Sequence, residues 1–201
     1  MDILIVIALI VVALAIFLKK KSKDKIKTTG WRNNYSPGMS DTPIPQGDGW
    51  YFDFPTNPNS HVHYLQWFNP PTLVGAKLIS IQFSVTGGGF IPQEFPDGRP
   101  ALVSLLLQRK GDNWSADAKT RSYRWYSSEA TELASGEYQL TIPLDVSNWG
   151  DVYNGQDASL FTETLSKIDN IGIVFGSAGG RGHGVYATQP SRFTLLNIKV
   201  S

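Results

Sequence analysis

A chain of 201 residues holds one domain plus appendages, and its +1 net charge comes from one basic run, Lys19–Lys27. Without that run the remainder is mildly acidic, which excludes the basic footprint of a nucleic-acid binder. The absence of cysteine excludes disulfides, thiolate catalysis and cysteine-ligated zinc or iron–sulfur centres, and aromatic residues at 12% beside 19 glycines suit strands and turns.

The first element is Ile3–Leu18, "ILIVIALIVVALAIFL", a run without a polar residue. As a helix it covers about 24 Å of a ~30 Å hydrocarbon core, and snorkelling by Lys19–Lys21 closes the gap. A cleaved signal peptide carries its basic segment first and a small-residue cleavage site afterwards. Here Asp2 precedes the run and "KKKSKDKIK" follows it, so residues 1–27 read as an uncleaved single-pass transmembrane anchor. Membrane lipid is its expected partner, with anionic headgroups attracting the lysines. The charge rule retains such a flank in the cytoplasm, and the domain with it; display on the periplasmic or extracellular side is the alternative. Residues 28–48 show no sustained periodicity and read as a linker or stalk leading to a domain over 49–201.

Short strands follow. "GWYFDF" and "HVHYLQWF" alternate, and "KLISIQFSV" sets Ile79, Ile81, Phe83 and Val85 on one face. "ALVSLLLQ" is nearly continuous and predicts a central strand buried on both faces. Further strands are predicted at "YRWYS", "YQLTIPL", "IGIVFG", "GVYAT" and "RFTLLNIKV". One helix is predicted within "DASLFTETLSKI", capped by Asp157, with Leu160, Phe161, Leu165 and Ile168 at helical spacing. The fold class is all-β: an antiparallel jelly-roll β-sandwich with one short helix, preceded by the transmembrane helix.

Five glycines crowd between Gly176 and Gly184 in "GSAGGRGHG". A dinucleotide fingerprint would need a helix next, and alternation and a proline stand there instead; the Walker spacing is also missing. The loop reads as a β-connection in which glycine supplies positive φ or a close approach. His61 and His63 share one face of a strand, and with His183 they are candidates for a three-histidine metal site of cupin-like type. The glutamate of the cupin pattern is absent from "YLQWFNPP", and the competing reading is three partly buried, hydrogen-bonded imidazoles. No Gly-x-Ser-x-Gly elbow is present and no carboxylate pair stands out, so the chain reads as non-catalytic, without a cofactor.

The segment "QRKGDNWSADAKTRSYRWYSSE" carries the most distinctive chemistry. Trp114 in a polar loop, flanked by Asp112 and Asn113, suits stacking on a sugar ring while polar groups bond its hydroxyls. Arg124 and Tyr126, with Arg181 and His183 of the glycine loop, complete the candidate ligand-binding set. Strand alternation buries either Tyr123 and Trp125 or Arg124 and Tyr126 in the core.

"KIDNIGIVFGS" and "RFTLLNIKV" resemble the closing strands of galactose-binding-like β-sandwiches, among them carbohydrate-binding modules and the complex I intermediate-associated protein family. The resemblance implies a final hairpin between Ile168–Ile173 and Phe193–Ile198, with "KLISIQFSV" in the same sheet. It implies fold more than function, and no family ligand residue matches position by position. The reading is a membrane-anchored, non-catalytic binding module with a glycan as ligand. The alternatives are a structural or assembly protein of a viral or cellular envelope and a three-histidine metal enzyme.

Overall fold

A computed structural model describes residues 30–201. The expected anchor and its basic flank lie outside the described residues; among those described, no helix is long and apolar enough to cross a membrane.

In chain order the strands are β1 (Trp31–Asn34), β2 (Ile44–Gln46), β3 (Gly49–Asp53), β4 (Tyr64–Phe68), β5 (Leu78–Thr86), β6 (Phe90–Pro92) and β7 (Leu102–Arg109). They continue with β8 (Arg124–Ser127), β9 (Thr131–Glu132), β10 (Gly136–Pro143) and β11 (Trp149–Asp151). Helix α1 (Ala158–Ser166) follows, then β12 (Ile168–Gly176), β13 (Val185–Ala187) and β14 (Arg192–Val200). A seven-stranded antiparallel sheet runs β1-β4-β12-β7-β8-β11, with β9 pairing the free end of β7. A five-stranded sheet runs β10-β5-β14-β3-β2, and β13 pairs with β6 in a short ribbon. The chain passes back and forth between the two large sheets.

The alternation in β5 buries Ile79, Ile81, Phe83 and Val85 against the facing sheet, as its period of two requires. Strand β7 is buried on both faces. Val103, Leu105 and Leu107 enter the main core, whereas Leu106 belongs to a second cluster on the opposite face. Four of the six tryptophans, Trp31, Trp50, Trp125 and Trp149, are fully buried. Helix α1 is capped by Asp157, whose Oδ1 accepts from the Ser159 and Leu160 amides. It closes one flank by setting Phe161 5.0 Å from Trp125 and 6.0 Å from Trp149.

Two expectations are corrected. The stretch 28–48 is not simply a stalk: β1 pairs with β4, and Trp31 sits 4.9 Å from Trp50 across the sandwich, stacked at 6.0 Å on Trp67. A four-residue strand followed by glycine, proline and polar residues carries too little periodicity to announce itself; burial of one indole decides it. The closing strands do not form a hairpin either. β12 lies between β4 and β7, and β14 between β3 and β5, so they face each other across the core with Phe175 and Phe193 5.4 Å apart. "KLISIQFSV" does share the sheet of β14.

These contacts place the N-terminal boundary of the sandwich before Trp31. A chain beginning at residue 28 should melt cooperatively, whereas one beginning at 49 should lose on the order of 3–5 kcal/mol from the missing indole alone. Chemical denaturation of the two fragments, read by tryptophan fluorescence and circular dichroism, checks this; equal midpoints would return 28–48 to the status of a linker.

Candidate functional site

The face of the seven-stranded sheet that points away from the core carries Tyr64 and Gln66 from β4, Asn170 and Val174 from β12, Ser104, Leu106 and Gln108 from β7, and Arg124 and Tyr126 from β8. The face is polar and yet removed from water. Gln66 Nε2 donates to Gln108 Oε1 at 2.6 Å and to Asn170 Oδ1 at 2.7 Å, and Asn170 Nδ2 donates to Gln108 Oε1 at 2.6 Å. Asn34 Nδ2 extends the lattice to β1 by donating to Gln66 Oε1 at 2.5 Å. On the other side Gln108 Nε2 donates to Asp112 Oδ2 at 2.5 Å. Fully matched amide groups can be buried at little net cost, and here they lock neighbouring strands in register.

Asp112 and Arg124 end this lattice as an ion pair, 3.0 Å apart, with side-chain exposures of only 1% and 7%. Asp112 Oδ1 accepts from the Trp114 amide at 3.1 Å, and Arg124 Nη2 donates to the Ser115 carbonyl at 2.5 Å. Asp112 and Arg124, both expected to contact a ligand, thus hold the loop in place, and Arg124 also lines the adjoining cleft. The loop in turn fixes Trp114 at φ +64, a left-handed conformation that costs a bulky residue about 1–2 kcal/mol. Its ring lies 4.8 Å from Tyr64 and 4.9 Å from Tyr35, with the Arg124 guanidinium 5.0 Å from its centroid. Trp114 is partly buried rather than freely exposed, capping a small apolar cluster of Tyr64, Leu106, Tyr126 and Val174. The alternation in β8 puts Trp125 in the main core and Tyr126 beneath the cleft.

The glycine-rich loop supplies the opposite wall. Gly182 and Gly184 have φ of +78° and +97°. A Cβ on Gly182 would stand 1.9 Å from the Tyr64 hydroxyl, so the loop rests directly on that ring. Burial, first, and the neighbouring Tyr126 push the Tyr64 phenol well above its ordinary pKa; the two hydroxyls lie 3.4 Å apart. Between the walls lies a cleft of about 440 Å³, lined by Tyr64, Trp114, Arg124, Tyr126, Arg181 and His183 among others. Asn113 is exposed at the rim of its loop, where its side chain accepts from the Ser115 amide. Tyr35 and Tyr153, 55% and 60% exposed, flank the same loops and were not singled out from the sequence. Tyr153 donates to the Ala116 carbonyl at 2.7 Å, and Asn154 at φ +63 lines the cleft. An aromatic beside a left-handed asparagine in "DVYNG" was the signal available.

The three histidines do not converge on one ion. His63 Nδ1 donates to the Gly182 carbonyl at 2.6 Å, and His183 Nδ1 lies 2.6 Å from Glu94 Oε2. His61 and His63 have ring centroids 4.5 Å apart. Among the described residues no group of three or more histidine, aspartate or glutamate side chains is placed to hold a metal. The dipeptide spacing was real, but the pair lies just ahead of β4, where the His63 ring turns to the glycine loop.

No protein-family model matches the chain, and no curated protein does. Among solved structures the chain is similar to the xylan-binding module CBM15, at 15% identity and a TM-score of 0.42, over 86% of this chain and 95% of that one. It is also similar to the L4b domain of human laminin alpha-2, at 11% identity and a TM-score of 0.44, over 87% and 92%. The strand order defines the described domain as an antiparallel β-sandwich with one helix.

Two outcomes follow from the glycine loop. Gly182→Val should destabilise the domain by more than about 1 kcal/mol, because it meets both an unfavourable φ and the Tyr64 ring; a denaturation midpoint equal to the wild type would remove the loop from the tertiary contacts. His63 titrates in the same place. Burial, outweighing its bond to Gly182, lowers its pKa from 6.5 to about 4, so the folded state prefers the neutral ring. Its contribution is complete above pH 6.5 and is lost as pH falls toward 4, with partly buried His61 shifted in the same direction. The capping carboxylates of Asp145 and Asp157, lowered from 3.8 by their serine hydroxyls and amides, act only below that window. Melting temperatures between pH 7 and 4 should fall, and His63→Asn should flatten the fall; parallel curves would refute the assignment.

Proposed function

We propose that this chain is a membrane-anchored, non-catalytic binding module whose ligand is a carbohydrate. The observation that carries the reading is the placement of Trp114: a partly exposed indole, held in a left-handed conformation by a buried ion pair, forms one wall of a cleft. Residues kept in sparsely populated backbone conformations cluster where geometry serves a ligand. The cleft volume of about 440 Å³ falls in the range of small-ligand sites. Its lining combines flat rings with a guanidinium and an exposed imidazole, the pairing a sugar needs for its apolar face and its hydroxyls.

Anchoring is supported by the sixteen apolar residues of Ile3–Leu18 and the lysines that follow. The domain begins within a few residues of that flank, at Trp31, so the cleft would work close to the bilayer surface. Protease protection in sealed vesicles reports the side on which the domain lies.

The binding test uses the full chain in detergent micelles on a glycan array, followed by titration of any hit. Trp114→Ala should weaken binding by tenfold or more, in line with stacking contributions of about 1–3 kcal/mol. The same change should lower stability by only about 1–2 kcal/mol, because the indole is partly exposed. A wild-type chain that retains no glycan, with a Trp114→Ala variant that fails to fold, would favour an assembly role for the sandwich.

A further inference from the structure

Six arginines form ion pairs or lie in solvent, and one does neither. Arg99, Arg109, Arg121, Arg124 and Arg192 each meet a carboxylate, and Arg32 is exposed to water. Arg181 is half-buried and takes part in no ion pair among the described residues. Its Nη1 donates to the Ser127 carbonyl at 3.1 Å, its Nη2 donates to the Asn154 side-chain oxygen, and its guanidinium carbon lies 5.3 Å from the Tyr126 ring centroid. A guanidinium has five N–H donors, so these two bonds leave three uncommitted. Burial lowers its pKa from the ordinary arginine value, yet the group stays charged at any physiological pH.

A second orphan lies beside it. The Ser177 hydroxyl is buried, with the residue 1% exposed, and has no hydrogen-bond partner. It lines a depression of about 300 Å³, together with Ser104, Ser127, Ser128 and Arg181. Asn154, Ala178 and Arg181 line both this depression and the Trp114 cleft, so the two adjoin at the guanidinium. A partly desolvated cation and an unmatched hydroxyl each lack what an anion supplies, and a buried polar group without a partner needs an explanation. A planar fork beside a hydroxyl donor matches a carboxylate in particular.

The geometry points to an acidic glycan: a uronic-acid residue places its carboxylate in the serine-lined depression, on Arg181 and Ser177, while a neighbouring ring stacks at Trp114. This rests on the carbohydrate reading and adds the charge of the ligand to it. The neutral hydroxyls of a plain hexose would leave the guanidinium without a counter-charge.

The test titrates the full chain in detergent micelles with oligosaccharides of polygalacturonate and alginate, each beside its carboxyl-reduced counterpart. At least one acid form should bind on the order of tenfold to a hundredfold tighter than its reduced partner, the range of a hydrogen-bonded charge. Arg181→Met should collapse that ratio. Because Arg181 also holds Ser127 and Asn154, Ser177→Ala is the control for folding: its hydroxyl bonds nothing, so the melting temperature should stay unchanged while the ratio falls severalfold. Equal affinity for acid and reduced forms, or a ratio that survives both substitutions, would overturn the inference and leave a neutral-glycan module standing. Failure of every glycan, acidic or neutral, would overturn the carbohydrate reading together with it.

Discussion

Asp112 and Arg124 stand as opposite charges largely shielded from water, 3.0 Å apart, at the end of a lattice of buried amides. Neither charge tolerates burial alone, because removing one partner of such a pair leaves an uncompensated ion at a cost of about 3–5 kcal/mol. The pair is therefore an all-or-none constraint on where the loop after β7 can lie. Ser115 is tied to the Arg124 guanidinium, the Trp114 amide to the Asp112 carboxylate, and the indole is delivered over Tyr64. Through Gln108, Gln66 and Asn170 the same constraint reaches β7, β4 and β12.

That lattice explains how one sheet serves two purposes. Its inner face is packed with Trp31, Leu65, Val103, Leu105, Trp125, Ile173 and Phe175 and supplies the hydrophobic driving force. Its outer face buries polar groups, which contribute little net stability but discriminate strongly between registers, because a shifted strand would strand its amides unpaired. Stability and geometry are thus assigned to opposite sides of β7. A cleft built on such a floor keeps its shape when a ligand enters, which lowers the cost of ordering it on binding.

The left-handed backbone at Trp114 and Asn154 fits the same division. Each is strained by itself, and each is held by side-chain bonds that the rest of the sheet anchors: Trp114 through Asp112, Asn154 through Arg181 and its turn with Asp151. The glycine loop meets them from the other side by contact with Tyr64. Two loops far apart in the chain meet on the ring of Tyr64.

Local pattern by itself determined the strands that face the core: a period of two marks β5, β10 and β14, and near-continuous apolar runs mark β7 and β12. Asp157 ahead of an apolar stripe likewise announced α1, and glycine density announced the positive φ at Gly182 and Gly184. The tertiary structure decided what periodicity does not encode: that Trp31 belongs to the core, that β12 and β14 lie in opposite sheets, and that Asp112 and Arg124 pair with each other. The reason is one of range. Alternation and capping are interactions between residues a few positions apart, whereas pairing of sheets, burial of charge and the lack of a carboxylate beside Arg181 among the described residues depend on residues brought together from distant parts of the chain.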